Sequence, residues 1–217
     1  MTIKKCAAEV LGTFLMVFLG TGVAIINEYS GGSVTQLGIS IAFGLVVLLC
    51  ILTLGNISGS HINPAVTITL AVFRHFPYKL VLPYIVSQLV GAIVASCILR
   101  LIFPQSISLG ATLPSGAAMP SFLLEILLAF LLMLVILQSI KSLSHKKIIS
   151  ALLVSMVVLL EANFAGPICG ASMNPARSIA PALISNNLQH IWIYLTAPFI
   201  GMLLAGVFFN LIYKIKS

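Results

Sequence analysis

The chain has 217 residues, of which 60% are hydrophobic and only 7% are charged, and its formal net charge is +7. Soluble domains carry about 25% charged residues, so this composition excludes a soluble globular protein, a disordered chain and a secreted disulfide scaffold. It predicts a polytopic membrane protein, because a spanning helix takes about 20 apolar residues and the chain has room for six. The basic residues stand in small groups between apolar stretches, a pattern that argues against nucleic acid as a partner.

Eight apolar segments follow one another along the chain. Two of them are too short to span a bilayer, which is typical of re-entrant or interfacial pieces. The predicted fold is therefore an all-α membrane protein with six transmembrane helices and two half-helices. The predicted spans cover residues 3–26, 36–54, 80–102, 120–140, 148–164 and 191–212, and the short segments cover 65–73 and 176–184.

The basic residues predict the orientation of the spans. Nine of them fall on one side of a six-span arrangement, namely Lys4, Lys5, Arg74, Lys79, Lys141, Lys146, Lys147, Lys214 and Lys216. The connections on the other side, residues 27–35, 103–119 and 185–190, contain neither Lys nor Arg. Because an excess of Lys and Arg marks the cytoplasmic side, both termini are predicted to be cytoplasmic. The small chain without long tails favours a bacterial inner membrane.

An internal repeat divides the chain into halves at about residues 1–110 and 111–217. The tripeptide Asn-Pro-Ala occurs in each half, as Asn63, Pro64 and Ala65 and again as Asn174, Pro175 and Ala176. Each half also has a glutamate early in its first span, Glu9 or Glu125. Three spans per half is an odd number, so the second half must be inverted. Inverted repeats place a binding site between them, at broken helices.

The two Asn-Pro-Ala copies predict two helix starts that face each other. Asn is a favoured N-cap and Pro a favoured first helical residue, and a helix N-terminus carries about half a positive charge. One copy alone would be an ordinary helix cap in a loop, but two copies in opposite topology predict a narrow pore that repels cations. The amides of Asn63 and Asn174 would donate to a passing solute. Carbonyl groups would line the pore at Gly59, Ser60, His61, Ile62, Gly170, Ser172 and Met173.

The stretches 58–67 and 170–178 resemble the aquaporin, or major intrinsic protein, family, and the resemblance covers essentially the whole chain. It implies a right-handed bundle of six spans and two half-helices, one pore per subunit and a homotetramer in the lipid bilayer. It also implies a four-residue selectivity filter at Phe43, Ala162, Ala171 and Arg177. Water-only members have a histidine at the position of Ala162. The residues 111–116 and 164–170 look like the nodulin-like and glycerol-conducting branches, which pass glycerol, small polyols, urea or neutral metalloid acids.

The acidic residues inside the spans are candidates for a function by default. Glu9 and Glu125 could carry protons, but their symmetric placement favours a structural role. We expect them to accept hydrogen bonds from the amides of residues 58–61 and 170–172, respectively. Glu161 could face a neighbouring span, a subunit interface or the pore. His61 could sense pH, although a neutral, hydrogen-bonded ring is the favoured interpretation.

The predicted function is a passive channel for water and small neutral solutes such as glycerol, without enzymatic activity, cofactor or metal. A water-selective or metalloid-acid channel of the same family is the first alternative. A proton-coupled secondary transporter is the second, suggested by the inverted repeat with its two glutamates. An intramembrane hydrolase, suggested by Ser60, His61 and Ser172, is disfavoured because the chain has no aspartate to orient a histidine.

Overall fold

The computed structural model describes residues 2–143 and 146–214, except for the side chain of Lys214, and Lys216 lies outside the described residues. Within them the fold is all-helical. The helices are α1 (Thr2–Tyr29), α2 (Thr35–Ser58), α3 (Pro64–Val72), α4 (Val81–Ile102, after a 3-10 turn at Tyr78–Leu80), α5 (Ala118–Ser142), α6 (Lys147–Cys169), α7 (Pro175–Ile184) and α8 (Ile191–Lys214).

Six of these helices are long and apolar enough to cross a membrane, and α3 and α7 are half-length. This confirms the predicted arrangement of six spans and two half-helices. α1 packs against α2 and α4, α5 packs against α6 and α8, and α2 packs against α6. We call the end of the bundle where α1 begins and α8 ends the terminal face, and the other end the opposite face. The half-helices α3 and α7 meet each other inside the bundle.

The second and fifth long helices, α2 and α6, run further than predicted. The predicted apolar segments end at residues 54 and 164, but the helices continue to Ser58 and Cys169. Each ends where a glycine takes the left-handed conformation, with φ of 91° at Gly59 and 80° at Gly170. That conformation, more than the presence of glycine, terminates a helix. Cys169, which lies beyond the predicted end of this span, is buried in the last turn of α6.

Two glycines allow the closest crossings in the bundle. A Cβ atom at Gly91 of α4 would lie 2.2 Å from the carbonyl oxygen of Val10 in α1. A Cβ at Gly201 of α8 would lie 2.2 Å from the carbonyl oxygen of Ile126 in α5. Val10 and Ile126 directly follow Glu9 and Glu125 in the chain. The two crossings therefore hold these glutamates at comparable places in the core.

Candidate functional site

The half-helices begin at the two Asn-Pro-Ala motifs, and each asparagine caps its helix. Asn63 has an extended backbone, and its Oδ1 accepts a hydrogen bond from the amide of Ala65 at 2.9 Å. Asn174 has the same conformation, and its Oδ1 accepts from the amides of Ala176 at 3.0 Å and Arg177 at 3.4 Å. A side chain that caps a helix in this way satisfies amides that have no partner inside it.

The same two side chains join the half-helices to each other. Nδ2 of Asn63 donates to the carbonyl oxygen of Met173 at 2.8 Å, and Nδ2 of Asn174 donates to that of Ile62 at 2.8 Å. The N-termini of α3 and α7 therefore meet at the centre of the bundle, with their positive dipole ends together. A carboxamide nitrogen carries two hydrogens, so Asn63 keeps one beyond the bond to the opposite loop, whereas Nδ2 of Asn174 also donates to the sulfur of Met16 at 3.6 Å.

The loops that precede the motifs share an unusual backbone pattern. At each motif, the residues one, three and four positions before the asparagine have positive φ. In the first loop the values are 91° at Gly59, 51° at Ser60 and 44° at Ile62, and in the second they are 80° at Gly170, 41° at Ala171 and 52° at Met173. Non-glycine residues in this region cost free energy and cluster at functional sites. The surrounding hydrogen bonds must therefore hold the loops in place.

Glu9 supplies those bonds in the first loop. Its carboxylate accepts from the amides of His61 at 3.0 Å and Ile62 at 2.7 Å, from the hydroxyl of Ser58 at 2.6 Å and from Nε2 of Gln88 at 2.7 Å. The residue is completely buried. Four donors surround the carboxylate where a buried charge would otherwise be costly.

Glu125 has the corresponding place beside the second loop, with fewer donors. It accepts from the amides of Ser172 at 2.7 Å and Met173 at 2.8 Å. The predicted donor stretches, residues 58–61 and 170–172, thus began too early. The amides that turn toward each glutamate belong to the two residues just before the asparagine, because the left-handed residues upstream point their amides elsewhere.

A cavity of about 470 Å³ passes the two motifs and connects the filter region with the terminal face. Phe43, Ala162, Ala171 and Arg177, the four residues of the predicted filter, all line it. So do both asparagines and the loop residues Gly59, Ser60, His61, Ile62, Ser172 and Met173. Toward the terminal face the lining includes Asn56, His75, Lys147 and Ser150.

Gly170 is not among the residues that line this cavity, and a pore-lining role of its carbonyl group stays a prediction. A Cβ at Gly170 would meet the side chain of Thr112, which covers this position from behind the loop. The other residues of the motifs, Pro64, Ala65, Pro175 and Ala176, are buried at the helix starts and do not line the cavity. Their role is to begin α3 and α7, while the asparagines provide the polar surface.

Arg177 is held in the filter region by groups that the sequence did not single out. The side chain is 6% exposed, one guanidinium nitrogen donates to the carbonyl oxygen of Gly110 at 2.8 Å, and the group lies 5.1 Å from the ring centre of Phe43. The next residue, Ser178, shares a hydrogen bond of 2.7 Å with Thr112. The connection between α4 and α5 therefore positions the arginine.

Two tyrosines that sequence reasoning missed hold the ends of α2 and α6. The hydroxyl of Tyr84 donates to the carbonyl oxygen of Ser58 at 2.8 Å, and that of Tyr194 donates to Cys169 at 2.8 Å. Both acceptors are the last residues of their helices. The signal was present in the sequence, because each tyrosine follows its motif at nearly the same distance.

The structure also defines the surroundings of three further polar side chains. Arg100, near the end of α4, donates to the carbonyl oxygen of Ser106 at 2.7 Å and to that of Ile184, the last residue of α7, at 3.4 Å. Nδ1 of His61 lies 3.1 Å from the hydroxyl of Thr67. Glu161 is buried in α6, and no protein group among residues 2–143 and 146–214 hydrogen-bonds either of its carboxyl oxygens.

The profile of the family described as "Major intrinsic protein" matches residues 1–209. The chain is 40% identical to the probable aquaporin NIP4-2 of Arabidopsis thaliana over 210 residues, which cover 95% of this chain and 74% of the relative. It is 37% identical to Nodulin-26 of Glycine max over 211 residues, which cover 97% and 78%.

Among solved structures, the aquaglyceroporin from Plasmodium falciparum superposes with a TM-score of 0.88 at 25% identity, covering 97% of this chain and 96% of that one. The relatives named here are plant and parasite proteins, so they give no support to a bacterial membrane as the location. The helical architecture, the paired motifs and these matches agree. The chain is an integral, multi-pass membrane protein of the major intrinsic protein family, the aquaporins.

Proposed function

We propose that the protein is a passive channel that lets water and small neutral solutes such as glycerol cross the membrane and excludes ions and protons. The observation that carries the proposal is the meeting of two half-helix N-termini, joined by Asn63 and Asn174, in the wall of one continuous cavity. Amide hydrogens, loop carbonyls and apolar side chains along this cavity suit a solute that both donates and accepts hydrogen bonds.

Exclusion of ions follows from the charges around the constriction. Each helix N-terminus contributes about half a positive charge, and Arg177 adds a full one near the opposite face. Hydronium and metal cations would therefore meet a repulsive potential, as at other pores lined by helix N-termini and arginine. An anion would have to leave its hydration shell in a passage with apolar walls at Phe43 and Ala162.

The filter residues favour a solute larger than water. Ala162 and Ala171 leave space where a larger side chain would narrow the passage, and Phe43 offers an apolar surface for the carbon skeleton of a polyol. Arg177 offers donors for its hydroxyl groups. A neutral metalloid acid has a similar size and similar hydroxyls, and the similarity to nodulin-type relatives keeps such a channel as the alternative.

The geometry argues against two other functional classes, a hydrolase and a proton-coupled transporter. A hydrolase would need a histidine paired with a nucleophile, but His61 is hydrogen-bonded to Thr67, and Ser172 to Ser178 and the Asn174 carbonyl. We therefore propose no enzymatic activity. A proton-coupled transporter would need a carboxyl group in the passage that is free to exchange protons, whereas Glu9 and Glu125 bind loop amides, and neither they nor Glu161 line the cavity.

We also propose that both termini are cytoplasmic, with the terminal face inside the cell, and that the chain forms a homotetramer. The orientation rests on the basic residues at the terminal face, such as Lys5, Lys141 and Lys147. The tetramer is supported by the family resemblance. The division into inverted repeats at residues 1–110 and 111–217 is supported by the matching φ patterns, glutamates, glycines and tyrosines of the two halves.

Replacement of Ala162 by histidine tests the proposed filter. We expect Ala162→His to reduce glycerol flux much more than water flux, because the ring adds bulk opposite Phe43. Stopped-flow light scattering of proteoliposomes measures both fluxes. Ala117→His, at an exposed position just before α5 that does not line the cavity, is the control, and we expect it to leave the ratio of glycerol to water flux unchanged. Equal losses of both fluxes in Ala162→His would place the constriction elsewhere.

A further inference from the structure

Two polar side chains tie α2 and α6 together, one near each end of the helices. Nε2 of Gln36, in the first turn of α2, donates to the carbonyl oxygen of Ala162 in α6 at 2.7 Å. Nζ of Lys147, the first residue of α6, donates to the carbonyl oxygen of Leu52 in α2 at 2.8 Å. α2 and α6 run antiparallel, so each helix begins with a donor that reaches the backbone of the other.

Each of these two hydrogen-bonding side chains passes over a glycine of the partner helix. A Cβ at Gly166 would lie 2.3 Å from Nε2 of Gln36, and a Cβ at Gly55 would lie 3.5 Å from Cε of Lys147. At the Gln36 end, a larger residue than glycine would displace the carboxamide from its acceptor. The hydrogen bond from Gln36 therefore requires glycine at residue 166.

The acceptor of Gln36 is the backbone of a residue of the proposed filter. Phe43, which lines the cavity together with Ala162, lies seven residues after Gln36 on the same helix, which is about two turns. The bond thus joins the two helices that supply Phe43 and Ala162 to the proposed filter. Pro167 supplies no amide for the carbonyl group of Asn163, the residue after Ala162, so α6 has one backbone hydrogen bond fewer beside the Gln36 acceptor.

Ser40 fixes the orientation of the Gln36 side chain. Its hydroxyl donates to the carbonyl oxygen of Gln36 at 2.8 Å and lies 3.3 Å from Nε2 of the same residue. Ser40 is completely buried, whereas Gln36 is half-buried. Gln36 does not line the cavity, so its effect on a solute must act through the position of Ala162.

We propose that Gln36 is a positioning residue that sets the width of the filter by holding the backbone of Ala162 toward α2 and Phe43. The inference rests on the proposed channel function and adds the residue that determines its size limit. Without the bond, α6 moves away from α2 at this level and larger polyols pass. Lys147 makes the corresponding hydrogen bond at the terminal face, where the cavity is lined by residues outside the proposed filter.

The test compares a four-carbon polyol with water. In proteoliposomes, Gln36→Leu is expected to raise the ratio of erythritol to water permeability about threefold to tenfold, the factor that corresponds to one typical hydrogen bond. Gly166→Ala is expected to raise the same ratio, because its methyl group displaces the carboxamide while Gln36 itself is retained. The two substitutions lie on different helices, so one variant can still be measured if the other does not fold.

Rescue and a matched control separate positioning from general damage. Gln36→Lys keeps a donor of the kind that Lys147 uses across Gly55, and we expect the wild-type ratio. Gln138→Leu makes the same exchange as Gln36→Leu on the exposed end of α5, where Gln138 bonds Ser142 and does not line the cavity. We expect it to leave the ratio unchanged.

A folded Gln36→Leu or Gly166→Ala protein with the wild-type ratio would overturn the inference, and so would a raised ratio in Gln36→Lys. These outcomes differ from a failure of the proposed channel itself. In that case the wild-type protein would conduct neither glycerol nor water, and no ratio could be formed.

Discussion

Glu9 and Glu125 occupy comparable positions, but their surroundings differ. Glu9 is bound by four donors, two of them backbone amides, whereas Glu125 accepts two bonds, both from backbone amides. Gln88, which serves Glu9, also bonds the hydroxyl of Thr67 in α3. The carboxylate of Glu9 therefore links the first loop to α1 directly, and Gln88 extends this link to α4 and α3. Loss of that carboxylate removes more bonds than loss of its counterpart.

We expect Glu9→Ala to reduce the yield of folded protein strongly and Glu125→Ala to reduce it less. Each buried donor left without a partner costs about 1–3 kcal/mol, and Glu9 serves twice as many donors. Glu9→Gln and Glu125→Gln should cost less, because one acceptor oxygen remains. The measurement is the yield of monodisperse protein in detergent, together with flux per folded molecule.

Glu161→Ala is the control for this comparison. No protein donor within residues 2–143 and 146–214 loses a hydrogen bond when its carboxyl group is removed, so we expect a smaller loss of yield. If Glu9→Ala and Glu125→Ala instead fold normally and abolish a proton-dependent uptake, the structural role is wrong and the transporter interpretation returns.

At this scale, the sequence was informative where a side chain carries the function. Asn63 and Asn174 could be predicted because the Asn-Pro-Ala motif is unusual and occurs twice, whereas the four residues of the proposed filter follow only from the resemblance to the aquaporin family. The carbonyl group of Gly110, which holds Arg177, could not, because any residue presents a carbonyl. The bond from Gln36 to Ala162 joins residues far apart in the chain, and no local pattern indicates it.

Close helix crossings depend on single glycines at the scale of elements. At Gly91 and Gly201 the obstacle to a larger residue is a backbone carbonyl of the neighbouring helix, not a movable side chain. α1 and α5 therefore cannot adapt to a methyl group without moving away. Because Glu9 and Glu125 are adjacent in the chain to these crossings, such a movement would also strain the loops that they hold.

We expect Gly91→Ala and Gly201→Ala each to lower the thermal stability of the purified protein, with a cost of at least about 1–3 kcal/mol for overpacking. Gly116→Ala is the matched control, because a Cβ there would have no neighbour within 4 Å. The measurement is the unfolding midpoint in detergent. Midpoints of Gly91→Ala and Gly201→Ala equal to that of Gly116→Ala would show that the crossings are looser than described.

The helices themselves could be predicted more reliably than their ends. Six long apolar runs and two short ones correspond to the six long helices and two half-helices, because burial in lipid demands helices of a set length. The predicted ends of α2 and α6 were too early, because the continuous apolar runs stop before the helices do. In the structure Gly55 and Gly166 are interior residues at interhelical ties, and the stops are Gly59 and Gly170.

At the scale of the whole molecule, charge and hydrogen bonding are arranged around one passage. The half-helices bring two positive dipole ends to its centre, and Arg177 stands near its opposite end. In the described chain, the buried carboxylates that accept loop amides lie behind the passage and do not line it. A solute in the cavity therefore meets donors, carbonyls and apolar walls, with no carboxylate on the lining to attract or relay a proton.

The most direct measurement records solute flux and proton leak in the same proteoliposomes, loaded with a pH-sensitive dye. With a glycerol gradient and a pH gradient applied, we expect fast protein-dependent glycerol entry that is independent of the pH gradient, and no protein-dependent change in dye signal. A clear proton leak through the intact protein, or glycerol entry that requires the pH gradient, would contradict a passive channel closed to ions by its paired half-helices.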